Sequence, residues 1–157
     1  LLHAVLGAGQ RPLGARHDAF TRGGLEGRIF LPLGLGRVLG AAAFIERASA
    51  ETPFTLLPQL ASPGYLRGWR EGRFRDLLAW AAQSELRVPL TKSVIGVAFG
   101  AFGDVGTGLD AVRPAMLKVA GGVGLRYRLT REGANVRFDF AVSDAGPEVY
   151  LLVLEAF

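Results

Sequence analysis

Apolar and polar residues alternate with a period close to two along most of the chain, a pattern typical of β-strands. The clearest segment runs from Lys118 to Leu129, where polar residues and glycines separate the apolar positions Val119, Val123, Leu125, Tyr127 and Leu129. Residues 135–142 repeat the pattern, and the short connection 130–134 contains a glycine, as a hairpin loop usually does. The pattern therefore predicts two neighbouring antiparallel strands.

The same alternation along the rest of the chain predicts an all-β, antiparallel protein with about eight strands. Pro32 and Pro89 fall at strand ends, where a missing backbone N–H is tolerated. The predicted strands cover residues 1–10, 18–33, 37–50, 75–88, 94–106, 116–130, 134–143 and 148–157.

One connection differs from the short turns that join the other predicted strands. Residues 51–74 contain three prolines and several glycines and show no alternation. A loop of this length is uncommon in a compact domain and is usually functional or disordered. Its apolar content argues against disorder, so we expect the loop to pack onto another part of the protein. The apolar residues are Phe54, Leu56, Leu57, Tyr65, Leu66 and Trp69.

The two faces of the predicted strands differ in composition. One face carries Leu, Val, Phe, Trp and Tyr, and the other mixes isolated Arg, Glu and Asp with Gly and Ala. A transmembrane β-barrel would place the apolar face against lipid and the polar face in its lumen. A soluble β-sandwich or lipocalin-like barrel would instead place the apolar face inside. Both folds predict the same alternation, with inside and outside exchanged.

Composition excludes several other classes of protein. Half of the 157 residues are apolar, but no stretch approaches the ~20 consecutive apolar residues of a membrane-spanning helix. The 22 glycines follow no collagen-like period, and the absence of cysteine excludes disulfides and thiolate sites. The net charge of +4 comes from scattered residues. The densest group, Arg67, Arg70, Arg73 and Arg75, is interleaved with acidic residues, so we expect no nucleic-acid partner.

Common catalytic and nucleotide-binding motifs are also missing from the sequence. It contains no Gly-x-Ser-x-Gly elbow and no Walker-type Gly-Lys-Ser/Thr segment. Its two histidines, His3 and His17, are not accompanied by further metal ligands at the sequence spacings that are typical of metal sites. We therefore predict a protein that is not an enzyme, with no catalytic residues, no metal and no cofactor.

Three short motifs carry a family resemblance. Residues 64–69 read Gly-Tyr-Leu-Arg-Gly-Trp, residues 102–106 read Phe-Gly-Asp-Val-Gly, and residues 155–157 read Glu-Ala-Phe. In this order they resemble the signatures of the BamA/TamA superfamily of outer-membrane β-barrels, the bacterial surface antigen family. Family barrels have about sixteen strands and carry periplasmic POTRA domains ahead of the barrel. The resemblance implies that residues 1–157 form the C-terminal half of such a barrel.

The resemblance also implies roles for the loop and for one strand. The motif Leu66, Arg67, Gly68 and Trp69 would lie on a loop, about residues 51–74, that folds back into the barrel lumen. Arg67 would pair there with Asp104, the central residue of the motif Phe102, Asp104 and Gly106. Removing one partner of such a buried pair would cost about 3–5 kcal/mol. Gly68 would let the loop backbone lie close to the barrel wall.

The last strand has a separate implied role. Tyr150, Leu151, Val153 and Phe157 resemble the β-signal that assembly machinery reads in outer-membrane barrels. Leu152 and Leu154 depart from the family pattern, because relatives more often have small or polar residues at these lumen-facing positions.

The resemblance implies a location in the bacterial outer membrane and a function that involves no covalent catalysis. The protein would insert outer-membrane proteins or translocate polypeptides, with unfolded polypeptides as clients and membrane lipids and accessory periplasmic or lipoprotein subunits as partners. Alternatives are a secretion pore for one partner, a membrane anchor for an attached lipase-like domain, a small stand-alone barrel and a soluble β-domain.

Overall fold

The protein is an eight-stranded antiparallel sheet in which every strand pairs with its neighbour along the chain. The structure, a computed structural model, describes residues 2–13, 16–62, 64–108, 116–129 and 135–154. The strands are β1 (Leu2–Leu13), β2 (Arg16–Gly34), β3 (Arg37–Ala48), β4 (Leu78–Pro89), β5 (Val94–Gly106), β6 (Lys118–Arg128), β7 (Asn135–Ser143) and β8 (Gly146–Leu154). The predicted all-β antiparallel fold and the order of its strands are confirmed.

Strand bounds differ from the predicted ones by a few residues. The largest differences concern β1, which reaches Leu13, and β4, which begins at Leu78. β8 begins at Gly146, two residues earlier than predicted, and the end of its predicted range, residues 155–157, lies outside the described residues. Across the described ranges, pairing runs from β1 to β8 without a pairing between those two strands, so the sheet is open there.

The sheet has an apolar face that is exposed and a polar face that is partly covered. We call the exposed side the apolar face; its large side chains are Leu25, Ile29, Leu31, Leu33, Ile45, Leu86, Phe102, Val119, Val123, Leu125, Tyr127, Phe138, Phe140, Val142, Val149, Leu151 and Val153. The opposite side, the polar face, carries Glu26, Arg28, Glu46, Glu85, Arg87, Arg126, Arg137, Asp139 and Tyr150. The alternation within the strands is therefore confirmed, with the apolar residues on the exposed side.

The long connection between β3 and β4, residues 49–77, covers the polar face. Its side chains Leu60, Leu66 and Trp69 form a buried cluster with alanines of three strands, Ala81, Ala101 and Ala120. Because these alanines are small, the loop approaches the sheet closely. The expectation that this loop packs onto another part of the protein is confirmed.

The helical structure within the described ranges consists of the 3-10 turn Phe54–Leu56 and of Met116, which also has 3-10 geometry. None of the helical structure described there has the length and apolar composition needed to cross a membrane.

Candidate functional site

Arg67 lies at the centre of the contact between the loop and the polar face. Its side chain is only 1% exposed. Its Nη1 donates to Asp139 Oδ2 on β7 at 2.8 Å, and its Nη2 donates to Glu85 Oε2 on β4 at 2.7 Å. The guanidinium also stacks on Phe99 of β5, with 3.6 Å between Cζ and the ring centroid. One side chain of the loop therefore connects three strands.

Further arginines surround the two carboxylates that bind Arg67. Asp139 also accepts from Arg137, at 2.6 Å, and from Arg126. Glu85 accepts from Arg87 at 2.7 Å, and its Oε2 lies 3.5 Å from Arg126. We call these four arginines and two carboxylates the charge cluster. Its guanidinium groups outnumber its carboxylates by two to one, so the cluster carries a net positive charge.

The predicted pairing of Arg67 with Asp104 is wrong in this structure. Asp104 is buried, and its Oδ1 accepts from Lys118 at 2.5 Å. The reason is the orientation of β5, where Phe99 and its alternate neighbours face the loop. Phe102, two residues before Asp104, is 44% exposed on the apolar face, and Gly106 ends the strand. The motif Phe102, Asp104 and Gly106 therefore does not meet the loop arginine.

Gly68 holds the loop backbone against the wall formed by β6, β7 and β8. Its N–H donates to the Tyr150 hydroxyl at 3.0 Å, and its carbonyl accepts from Ser143 Oγ at 2.5 Å. Its φ of 106° lies in the region that favours glycine. A Cβ at this position would lie 3.2 Å from the Cβ of Ala120. The expectation that Gly68 permits a close approach of loop and wall is confirmed.

The other two residues of the loop motif anchor it by burial. Leu66 is fully buried in the loop–sheet cluster. Trp69 is also buried, and its Nε1 donates to the carbonyl of Val119 on β6 at 3.1 Å. Thus all four motif residues, Leu66 to Trp69, contact the sheet or the core beneath the loop.

Tyr65 precedes the motif and joins the loop to β3. Its ring packs edge-on against Phe44, with centroids 4.6 Å apart. Burial, followed by the neighbouring Glu26 carboxylate, raises the pKa of Tyr65 to about 12. The phenol is therefore neutral at physiological pH.

The predicted C-terminal signal residues divide between the two faces of β8. Leu151 and Val153 lie exposed on the apolar face, at 70% and 72%. Tyr150 lies on the polar face and contacts the loop through Gly68, a contact that the sequence did not predict. Phe157 lies outside the described residues.

Sequence reasoning missed several residues of this site, among them Glu85, Asp139 and Ser143. The alternation had placed Glu85 and Asp139 on polar strand faces, which was a usable signal, since an arginine that packs on that face needs a carboxylate. Ser143 gave no such signal, because a serine at a strand end is common. The described residues contain no group of three or more His, Cys, Asp or Glu side chains that could hold a metal ion.

The arrangement is suited to fastening a loop across a sheet. Arg67, Gly68 and Trp69 make polar contacts with four strands, β4, β6, β7 and β8. No model of a known protein family matches this chain, and no curated protein matches it either. Function is therefore inferred from the motifs and from this geometry.

Proposed function

We propose that this chain is part of an outer-membrane β-barrel of the BamA/TamA type, which inserts outer-membrane proteins or translocates polypeptides. The observation that carries the proposal is the distribution of side chains between the two faces. Large apolar side chains are exposed, while Arg67 and Asp139 are buried on the opposite face. A soluble sheet buries its apolar face, whereas a sheet in lipid exposes it.

The height of the apolar face fits a membrane. On β3, the exposed residues Arg37 and Arg47 flank the uncharged outward positions Leu39, Ala41, Ala43 and Ile45. Arg37 and Arg47 are ten residues apart, which corresponds to about 33 Å between the two arginines along a strand at ~3.3 Å per residue. With the ~40–45° tilt of barrel strands, this length gives a band about 25 Å high, which matches the lipid-facing band of such barrels.

The open edges support a larger, closed barrel. β1 and β8 each have one unpaired edge in the described sheet. Hydrocarbon cannot satisfy the N–H and C=O groups of a strand edge, and each unsatisfied group costs several kcal/mol. We infer that these edges pair with further strands, as in the sixteen-stranded barrels of the family.

The mechanism that we propose makes and breaks no covalent bonds. The loop with Arg67 braces the wall from the lumen side and covers the charge cluster there. A client polypeptide would add to a strand edge by backbone pairing, which is the usual mode of β-augmentation. Lipids and unfolded polypeptides are the partners that this mechanism requires.

The proposal is tested with the full-length protein reconstituted into phospholipid vesicles. We expect these vesicles to accelerate the folding of several urea-unfolded outer-membrane proteins, measured by the gel shift that distinguishes folded from unfolded barrels. We expect Arg67→Ala to lose most of the acceleration while the circular dichroism spectrum keeps its strand signal. An unchanged rate for every client would contradict an assembly function. Acceleration of one client alone would instead support the dedicated secretion pore.

A further inference from the structure

Arg47 is one of the two arginines that border the uncharged outward positions of β3. Other outward positions of β3, such as Ala43 and Ile45, are uncharged and exposed, whereas Arg47 is a fully charged side chain at the strand end next to the loop. Within the described part of the chain, no carboxylate forms an ion pair with Arg47. A lone arginine at the border of an apolar band is positioned where lipid headgroups would lie.

A groove of about 600 Å³ lies beside this arginine. Its lining includes Thr21, Arg22, Arg47, Ser49, Leu77 and Thr107. Among the described residues that line it there are two arginines, three hydroxyl groups and no carboxylate. Arg22 is already held by Glu46, and the Ser49 hydroxyl accepts the N–H of Thr21 at 3.1 Å. Among the described residues that line the groove, Arg47 is therefore the arginine whose charge no carboxylate pairs.

We infer that this groove binds the phosphate of an anionic phospholipid headgroup. The inference rests on the membrane location proposed above. A guanidinium matches a phosphate through two parallel hydrogen bonds, and the hydroxyls of Thr21 and Thr107 offer further donors. The exposed Leu25 and Ile45 continue from the groove along the apolar face, where acyl chains would lie. This continuity favours a lipid over a free phosphate ion.

The test is native mass spectrometry of the full-length protein released from mixed micelles of phosphatidylglycerol and phosphatidylcholine. We expect the wild-type protein to retain one phosphatidylglycerol more than the Arg47→Gln variant, whose affinity should fall about tenfold or more through loss of a charged hydrogen-bonding group. Arg47→Lys should fall between them. Arg37→Gln is the matched control, because Arg37 is exposed at the other end of β3, outside the groove. Added inorganic phosphate should not displace the lipid.

Each other outcome overturns the inference in a distinguishable way. If Arg47→Gln folds into vesicles like the wild type and retains the same lipid, the groove is not a lipid site, while the membrane proposal stands. If inorganic phosphate displaces the retained lipid, the site recognises a free anion. If the wild-type protein does not enter vesicles at all, both the proposed function and this inference fail.

Discussion

At the scale of single residues, Asp139 is the carboxylate on which the loop depends most. It is fully buried and accepts hydrogen bonds from Arg67, Arg126 and Arg137. A buried ion pair contributes little net stability compared with an apolar replacement, but removing one partner leaves a charge without compensation. Loss of Asp139 would leave Arg67 facing other arginines, with Glu85 as the one carboxylate of the charge cluster.

We therefore expect Asp139→Asn to release the loop and to lower the free energy of unfolding by about 3–5 kcal/mol. Asp104→Asn is the matched control, because Asp104 is equally buried but pairs with Lys118. The measurement combines urea unfolding in detergent with limited trypsin digestion, since Arg70 and Arg73 lie exposed on the loop. Faster cleavage of the loop in Asp104→Asn than in Asp139→Asn would favour the pairing expected from sequence and contradict the observed one.

The partner of Arg67 shows the limit of sequence reasoning at this scale. The motif around Arg67 was visible in the local sequence, and its burial was implied by the family resemblance. The partner was not predictable, because Glu85 and Asp139 lie 18 and 72 residues away along the chain. Which of several carboxylates meets the guanidinium depends on the path of the loop over the sheet, and no local pattern sets that path.

At the scale of elements, the strands differ in how well their faces could be predicted. In β6 and β7, bulky apolar residues alternate with arginine, aspartate and glycine, so each face was predictable from the pattern. In β5, the central residues Val97 to Ala101 are all small or apolar. Alternation without charge does not distinguish the two faces, so the pattern in β5 gave no check on the loop-facing position that the family resemblance implied for Asp104.

The loop and the edge strand β8 are coupled through one hydrogen bond in the described contacts, between the Gly68 N–H and the Tyr150 hydroxyl. We expect Tyr150→Phe to increase both tryptic cleavage of the loop and hydrogen exchange of β8, because the variant loses the acceptor and keeps the ring. Tyr127→Phe is the matched control, since Tyr127 is exposed on the apolar face of β6. Increased exchange in the loop alone, with β8 unchanged, would show that the two elements move independently.

At the scale of the whole molecule, alternation along the strands was compatible with two opposite architectures. A soluble sheet and a membrane sheet share the period of two, and they differ only in which face is covered. The membrane proposal rests on the loop 49–77, which packs on the charged face and leaves the apolar face exposed. That choice required tertiary structure, because the loop composition predicts packing without specifying the face on which it packs.

The most direct test of this orientation compares two adjacent leucines of β8. Leu151 is 70% exposed on the apolar face, whereas Leu152 lies on the polar face. The 157 residues contain no cysteine, so each leucine can be replaced by a single cysteine that carries a nitroxide label. In vesicles, we expect oxygen to relax the label at position 151 more strongly than a water-soluble nickel complex does, and the reverse at position 152. Stronger relaxation by the nickel complex at position 151 would contradict a lipid-facing apolar side and, with it, the membrane proposal.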